Sequence, residues 1–175
     1  LFTFGSLTFL SRIFGFLRDI VIAKFFGASI YSDAFFVSFR IPNLLRRLFA
    51  EGAFTQSFIP VLSEANETLN QEDFKKLVDE VATKLFLVLI TITVIGILLA
   101  PLIITLFAPG FSNDKDKFDL AVSMLRVMMP YILFISLTAF SGSILNLMGN
   151  FHIPAITPMI LNISIILFTV FLSSY

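Results

Sequence analysis

The sequence predicts an all-α protein, a polytopic transmembrane helix bundle of about five spans. Three observations predict it. The hydrophobic fraction is 57% and the mean hydropathy is +0.95, whereas soluble domains sit near 45–50% apolar. Several apolar runs approach the ~20 residues that cross ~30 Å of hydrocarbon. These runs are long and continuous, whereas a transmembrane barrel alternates in polarity over roughly ten-residue segments.

Charge is scarce and unevenly placed. The formal net charge is zero. Residues 1–59 nevertheless carry a net +3, and residues 60–84 a net −3. The positive excess therefore lies in the more apolar part. The segment from Ser11 to Glu51 is built mostly of Phe, Leu, Ile, Val and Ala, yet it holds nine charges: Arg12, Arg18, Asp19, Lys24, Asp33, Arg40, Arg46, Arg47 and Glu51. A charge at the centre of a membrane helix costs about 2.5–3.5 kcal/mol. Such residues are expected to face water, one another or an anionic ligand.

The first span is expected over residues 1–25. Gly5 and Gly15 interrupt it, each as a site of close packing or of bending. Ser11 and Arg18 are seven apart, as are Arg12 and Asp19, so each pair shares nearly one helical angle. The two arginines lie about 120° apart, which makes a broad polar strip suited to a cavity wall. Gly27-Ala28-Ser29 reads as a turn. A second span is expected over residues 33–58, where Asp33, Arg40 and Arg47 form a stripe joined by Asn43 and Glu51. Pro42 should kink it and Pro60 should end it. The pair Arg46-Arg47 is read either as an anchor at the membrane surface or as part of the cavity.

Residues 60–83 read as a polar cytoplasmic connector. From Gln71 onward Phe74, Leu77, Val78, Val81 and Leu85 recur at helical spacing, predicting an amphipathic helix on the membrane surface that feeds the next span, capped by Asn70. The third span is expected over 84–107 with a bend at Pro101. The fourth is expected over 120–148 with a kink at Pro130 and small residues at Ser136, Ala139, Ser141, Gly142 and Ser143 for close helix contact. Between them Lys115, Asp116, Lys117 and Asp119 read as a solvated run. His152 is expected in a solvated loop. The fifth span is expected over 154–173. Its Asn162 either bonds a neighbouring helix or faces the cavity. The distribution of Lys and Arg favours a cytoplasmic N-terminus. The chain begins at Leu1 and ends in an apolar run at Tyr175, and is read as part of a longer polypeptide. A cleaved signal peptide fits poorly, because Arg12 interrupts the first apolar stretch.

The residue inventory excludes much chemistry. With no Cys and one His, disulfides, thiolate metal sites and nucleophile–His–acid sets are absent. No phosphate-binding glycine loop or metalloprotease motif is present. An enzyme, a cofactor, a bound metal or a nucleic-acid partner is not expected. A cationic seam in a membrane remains. Arginine presents paired planar donors that match phosphate oxygens, with Asp19 and Asp33 able to hold the arginines when no ligand is bound. The implied ligand is an amphipathic, phosphate-bearing anion. A transporter of phosphorylated lipid fits better than a nucleotide channel.

Two long motifs carry a resemblance: SR-x-x-GF-x-RD at residues 11–19 and PNLLRR-x-FAEGAF at 42–54. With LFAPGF, PYILFISL and IPAITPMILNIS further on, the sequence resembles the MurJ (MviN) lipid II flippases of the multidrug/oligosaccharidyl-lipid/polysaccharide exporter superfamily. The resemblance implies a bacterial inner-membrane protein, with this chain forming part of its N-lobe and the remaining helices lying elsewhere in the full-length chain. It implies movement of the lipid-linked peptidoglycan precursor from the cytoplasmic to the periplasmic leaflet by alternating access. It also implies an undecaprenyl-pyrophosphate type of substrate. By this resemblance the cavity residues are Arg12, Arg18, Arg46, Ser11, Asp19, Asp33 and Glu51, to which the helix pattern adds Asn162. The alternatives are a related exporter (a polysaccharide-lipid flippase or a drug/cation antiporter) and a non-transporting scaffold for envelope synthesis. A drug/cation antiporter should prefer acidic cavities, and here bases outnumber acids.

Overall fold

In the computed structural model, residues 2–27, 29–48 and 53–172 are described. They are almost wholly helical: α1 (Phe2–Phe26), α2 (Ile30–Arg46), α3 (Ala53–Thr68), α4 (Gln71–Leu98), α5 (Ala100–Phe107), α6 (Lys115–Met128), α7 (Tyr131–Leu147) and α8 (His152–Leu172), with a short 3-10 turn at Pro109–Asn113. The chain divides into two compact units. One comprises Leu1–Ser32 with Leu145–Tyr175, and the other Asp33–Ile144.

The first unit is the helix pair α1 and α8, which pack together although 125 residues separate Phe26 from His152. Gly27 (φ 53°) ends α1 and Gly149 (φ 78°) follows α7. Both occupy the left-handed region that glycine enters without steric penalty. Beyond Gly27 the hydroxyl of Ser32 accepts from the Ser29 amide at 2.9 Å, satisfying a donor where α2 begins.

The second unit is built around Ala34 and Ile41 of α2, Leu85 and Leu89 of α4, Ala100 and Ile104 of α5, Ala121, Val122 and Leu125 of α6, Met129, and Ile132 and Phe140 of α7. Ser38, fully buried on α2, donates to the Ala121 carbonyl at 2.8 Å and ties α2 to α6. Such a bond joins helices in a medium where lipid tails supply no hydrophobic drive between them. Phe58 of α3 meets Phe140 at 5.6 Å between ring centroids.

Several helix boundaries differ from expectation. Pro60 does not end a helix. It lies inside α3, which continues through polar residues to Thr68. A membrane-type helix tolerates the lost backbone bond, and Leu62 and Ala65, buried just beyond the proline, anchor the second half. The segment expected as a continuous helix over 33–58 comprises α2 and the start of α3. The polar connector expected over 60–83 is itself helical except at Leu69-Asn70. From Gln71 the amphipathic stretch and the apolar stretch form one 28-residue helix, α4, about 42 Å long. Asn70 caps it as expected, accepting from the Asp73 amide at 2.9 Å. The amphipathic face does not rest on a membrane surface alone, since Val78, Val81 and Ala82 pack against the core. His152 is the first residue of α8, not a loop residue, and is exposed.

Two prolines divide helices as their chemistry dictates. Pro101 cannot donate to the carbonyl of Ile97, and the helix breaks at Leu99 between α4 and α5. The orphaned Ile97 carbonyl accepts instead from Arg126 Nε at 3.3 Å. Pro130 separates α6 from α7. There the Pro130 carbonyl accepts from both the Leu133 and Phe134 amides, at 3.1 and 3.5 Å. Pro42, fully buried, sits within α2 without ending it.

Among the described residues three helical stretches are long and apolar enough to cross a membrane: α4, Lys115–Leu147 (α6 with α7) and α8. Only 6% of the apolar window of α8 is buried, and Phe168 and Phe171 are each 67% exposed. That surface suits lipid. Helix α1 is as long, but carries Arg12, Arg18, Asp19 and Lys24.

Candidate functional site

The charged residues of α1 explain its departure from an ordinary span. Ser11, Gly15 and Arg18 follow one another at i, i+4 and i+7, so they share a face of the helix. Opposite that face stands Asn162 of α8, 7% exposed. Arg18 Nη1 donates to Asn162 Oδ1 at 3.0 Å. The amide nitrogen of Asn162 donates to the Ser11 carbonyl at 3.3 Å. The other edge of the guanidinium is taken by Asp19, whose Oδ1 accepts from Arg18 Nε at 3.0 Å and from Nη2 at 2.8 Å. Arg18 is thus gripped from its own helix and from α8, with 32% of its side chain exposed.

The donor count gives this grip chemical meaning. A guanidinium has five N–H groups, and three are engaged among the described residues. Two remain for an oxyanion, on a cation already fixed in direction. Asp19 is itself 64% exposed, so the gripped guanidinium lies at an open edge of the helix pair. Arg12, on another face of α1, is exposed.

The second unit holds its charges separately. Asp33 accepts from Lys117 Nζ at 2.6 Å, and the same ammonium lies 4.6 Å from the ring centroid of Phe111. Asp33 was expected to steady an arginine. It is committed instead to Lys117, which sequence reasoning had placed in a solvated run. Arg46 Nε donates to Asn43 Oδ1 at 3.0 Å, as their spacing of three on α2 allows. Arg40 and Arg47 are exposed. Glu51 lies outside the described residues.

Of the residues expected to form the site, the structure brings together Ser11, Arg18, Asp19 and Asn162. Asn162 bonds its neighbouring helix, one of the two roles left open for it. The partnership of Lys117 with Asp33 was missed because 84 residues separate them. The one usable signal was a basic residue beside Phe111 and Phe118 at a helix start. Among the described residues no group of His, Cys, Asp and Glu could hold a metal ion.

Apolar helices able to cross a membrane, one of them joined to the charged α1 through Arg18 and Asn162, define a polytopic membrane protein. A family model described as "Lipid II flippase MurJ" matches residues 22–175. The chain belongs to the MurJ family. A probable lipid II flippase MurJ from Buchnera aphidicola subsp. Schizaphis graminum is 49% identical over all 175 residues. The lipid II flippase MurJ of Burkholderia cenocepacia is 45% identical over the same length. Both alignments include Arg12 and Arg18, which precede the family-model match. The chain spans 34% of each of these relatives. A solved structure titled "Lipid II flippase MurJ, inward closed conformation" is 38% identical, with a TM-score of 0.82 over 99% of this chain and 36% of that one.

Proposed function

We propose that this chain is the N-terminal part of a flippase that moves lipid-linked peptidoglycan precursor from the cytoplasmic to the periplasmic leaflet of the bacterial inner membrane. The N-terminus lies in the cytoplasm on this reading, and transport proceeds by alternating access. The activity belongs to transport, not to catalysis. Membership of the MurJ family supports it. The single observation that carries it is Arg18, fixed by Asp19 and Asn162 with two N–H groups left over.

Arg12 and Arg18 of α1 contact the pyrophosphate, and Arg46 of α2 is carried over from the family resemblance as a further substrate contact. Arginine suits this task because its paired donors match two phosphate oxygens at once. The prenyl tail remains in lipid. Ser11 and Asp19 contribute polar groups on α1 near Arg18, and Glu51 is carried over from the family resemblance. Asp33, held by Lys117, contributes through the placement of α2. With the cell interior negative, each charge carried outward through 100 mV gains about 2.3 kcal/mol, so an anionic headgroup is driven toward the periplasm.

The test uses the full-length protein as the cell's sole copy, with Arg12→Ala, Arg18→Ala and Arg46→Ala singly and together. Precursor translocation should fall at least about tenfold for Arg18→Ala, the loss that one charge-assisted contact brings. Normal translocation by the triple variant would overturn the proposal.

A further inference from the structure

We propose that Asn162 is a positioning residue for Arg18: α8 aims the guanidinium that α1 carries. The functional weight of that aim rests on the reading of Arg18 as a phosphate contact. The geometry of the aim stands independently of it.

Three observations carry the inference. First, both ends of the Asn162 amide are committed. Its oxygen accepts from Arg18 Nη1 at 3.0 Å and its nitrogen donates to the Ser11 carbonyl at 3.3 Å. The orientation of the amide follows from chemistry. A guanidinium only donates and a carbonyl only accepts, so the reversed amide would set donor against donor and acceptor against acceptor. Second, Asn162 is buried at 7% exposure, whereas 32% of the Arg18 side chain is exposed. The arginine reaches outward and the asparagine stands behind it. Third, α1 has no side chain where the amide approaches. A Cβ on Gly15 would lie 3.6 Å from Asn162 Nδ2, an ordinary contact for a methyl and a crowded one for anything larger.

Together these give the spacing Ser11–Gly15–Arg18 a single purpose. Ser11 offers a carbonyl, Gly15 opens a seat, and Arg18 is the group to be aimed. Asp19 grips the Nε–Nη2 edge, and Asn162 draws on Nη1 from the other helix. With two supports the guanidinium has one direction; with Asp19 alone it can swing about its long stem.

The experiment uses full-length protein in detergent and reads two quantities. One is the rate at which phenylglyoxal modifies Arg18, resolved by peptide mass spectrometry with exposed Arg12 as internal reference. The other is binding of undecaprenyl pyrophosphate by native mass spectrometry. Asn162→Leu removes both amide bonds. Arg18 modification should then rise several-fold toward the Arg12 rate, and binding should weaken about tenfold, as loss of a hydrogen bond to a charged group predicts. Asn162→Asp keeps an acceptor for Arg18 and should keep its modification as slow as in the parent. In an Arg18→Ala background, Asn162→Leu should add no further loss of binding. Asn162→Ser, whose hydroxyl is too short to reach Arg18, serves in place of the leucine variant should the latter not fold. Unchanged Arg18 modification in the folded Leu or Ser variant overturns the positioning role. So does a binding loss that persists without Arg18, since a packing defect alone would produce it. Unaltered binding by Arg18→Ala would instead refute the phosphate-contact reading, and the modification rates would still decide the role of Asn162.

Discussion

At Gly96 the room for a side chain runs out. A Cβ there would lie 1.9 Å from the terminal methyl of Met129, which is itself buried. The thioether can turn aside, so Gly96→Ala should cost about 1 kcal/mol, near the low end of overpacking penalties, and Gly96→Val should cost more. Thermal unfolding in detergent checks both. Ser136 presents the opposite case. Its hydroxyl is buried and has no hydrogen-bond partner among the described residues. Ser136→Ala should therefore leave the melting temperature unchanged or raise it, because the hydroxyl's desolvation is uncompensated. Residues of the first kind are hard to see in sequence, since a glycine in an apolar helix signals packing or bending alike. The face shared by Ser11 and Arg18 was legible, because helical period alone fixes it. That Asn162 completes the face was not, because periodicity says nothing of a residue 144 positions away.

Among the elements, α4 and α6 meet where a proline has left a carbonyl without its donor. Arg126 of α6 supplies that donor to Ile97. Arg126→Leu should destabilise the protein by about 0.5–1.5 kcal/mol, the net worth of a hydrogen bond that is not buried. Arg126→Lys should restore only part of it, since an ammonium lacks the reach and fixed direction of Nε. The start of α6 is tied to the start of α2 by Lys117 and Asp33. Asp33 is 57% exposed, so the pair is screened and worth no more than about 1 kcal/mol. Lys117→Ala should lower the melting temperature slightly, and the loss should shrink at high salt. Sequence reading expected bends at Pro101 and Pro130, and the helices divide beside both, because a proline ring removes a backbone donor wherever it falls. It misjudged Pro60, where buried Leu62 and Ala65 carry the helix past the ring. Proline sets the local cost, and packing on either side decides whether the helix meets it.

For the molecule as a whole, class and family were legible because they rest on bulk apolarity and on two long contiguous motifs. The division into two units was not, since it depends on pairing the first helix with the last. On the proposed function, collapsing the membrane potential should slow precursor translocation, as the headgroup then loses about 2.3 kcal/mol of drive per charge per 100 mV. A fluorescent-precursor assay in vesicles with imposed diffusion potentials measures this.

The pairing of α1 with α8 also bears on how the protein is made. The 125 residues between them take roughly 6–25 s to synthesise at about 5–20 residues per second. Through that interval Arg18 of α1 lacks its partner from α8. Asp19, one position along, is the neutralising group already at hand, so the adjacent Arg-Asp pair can serve as a temporary shield during insertion before it serves the finished protein.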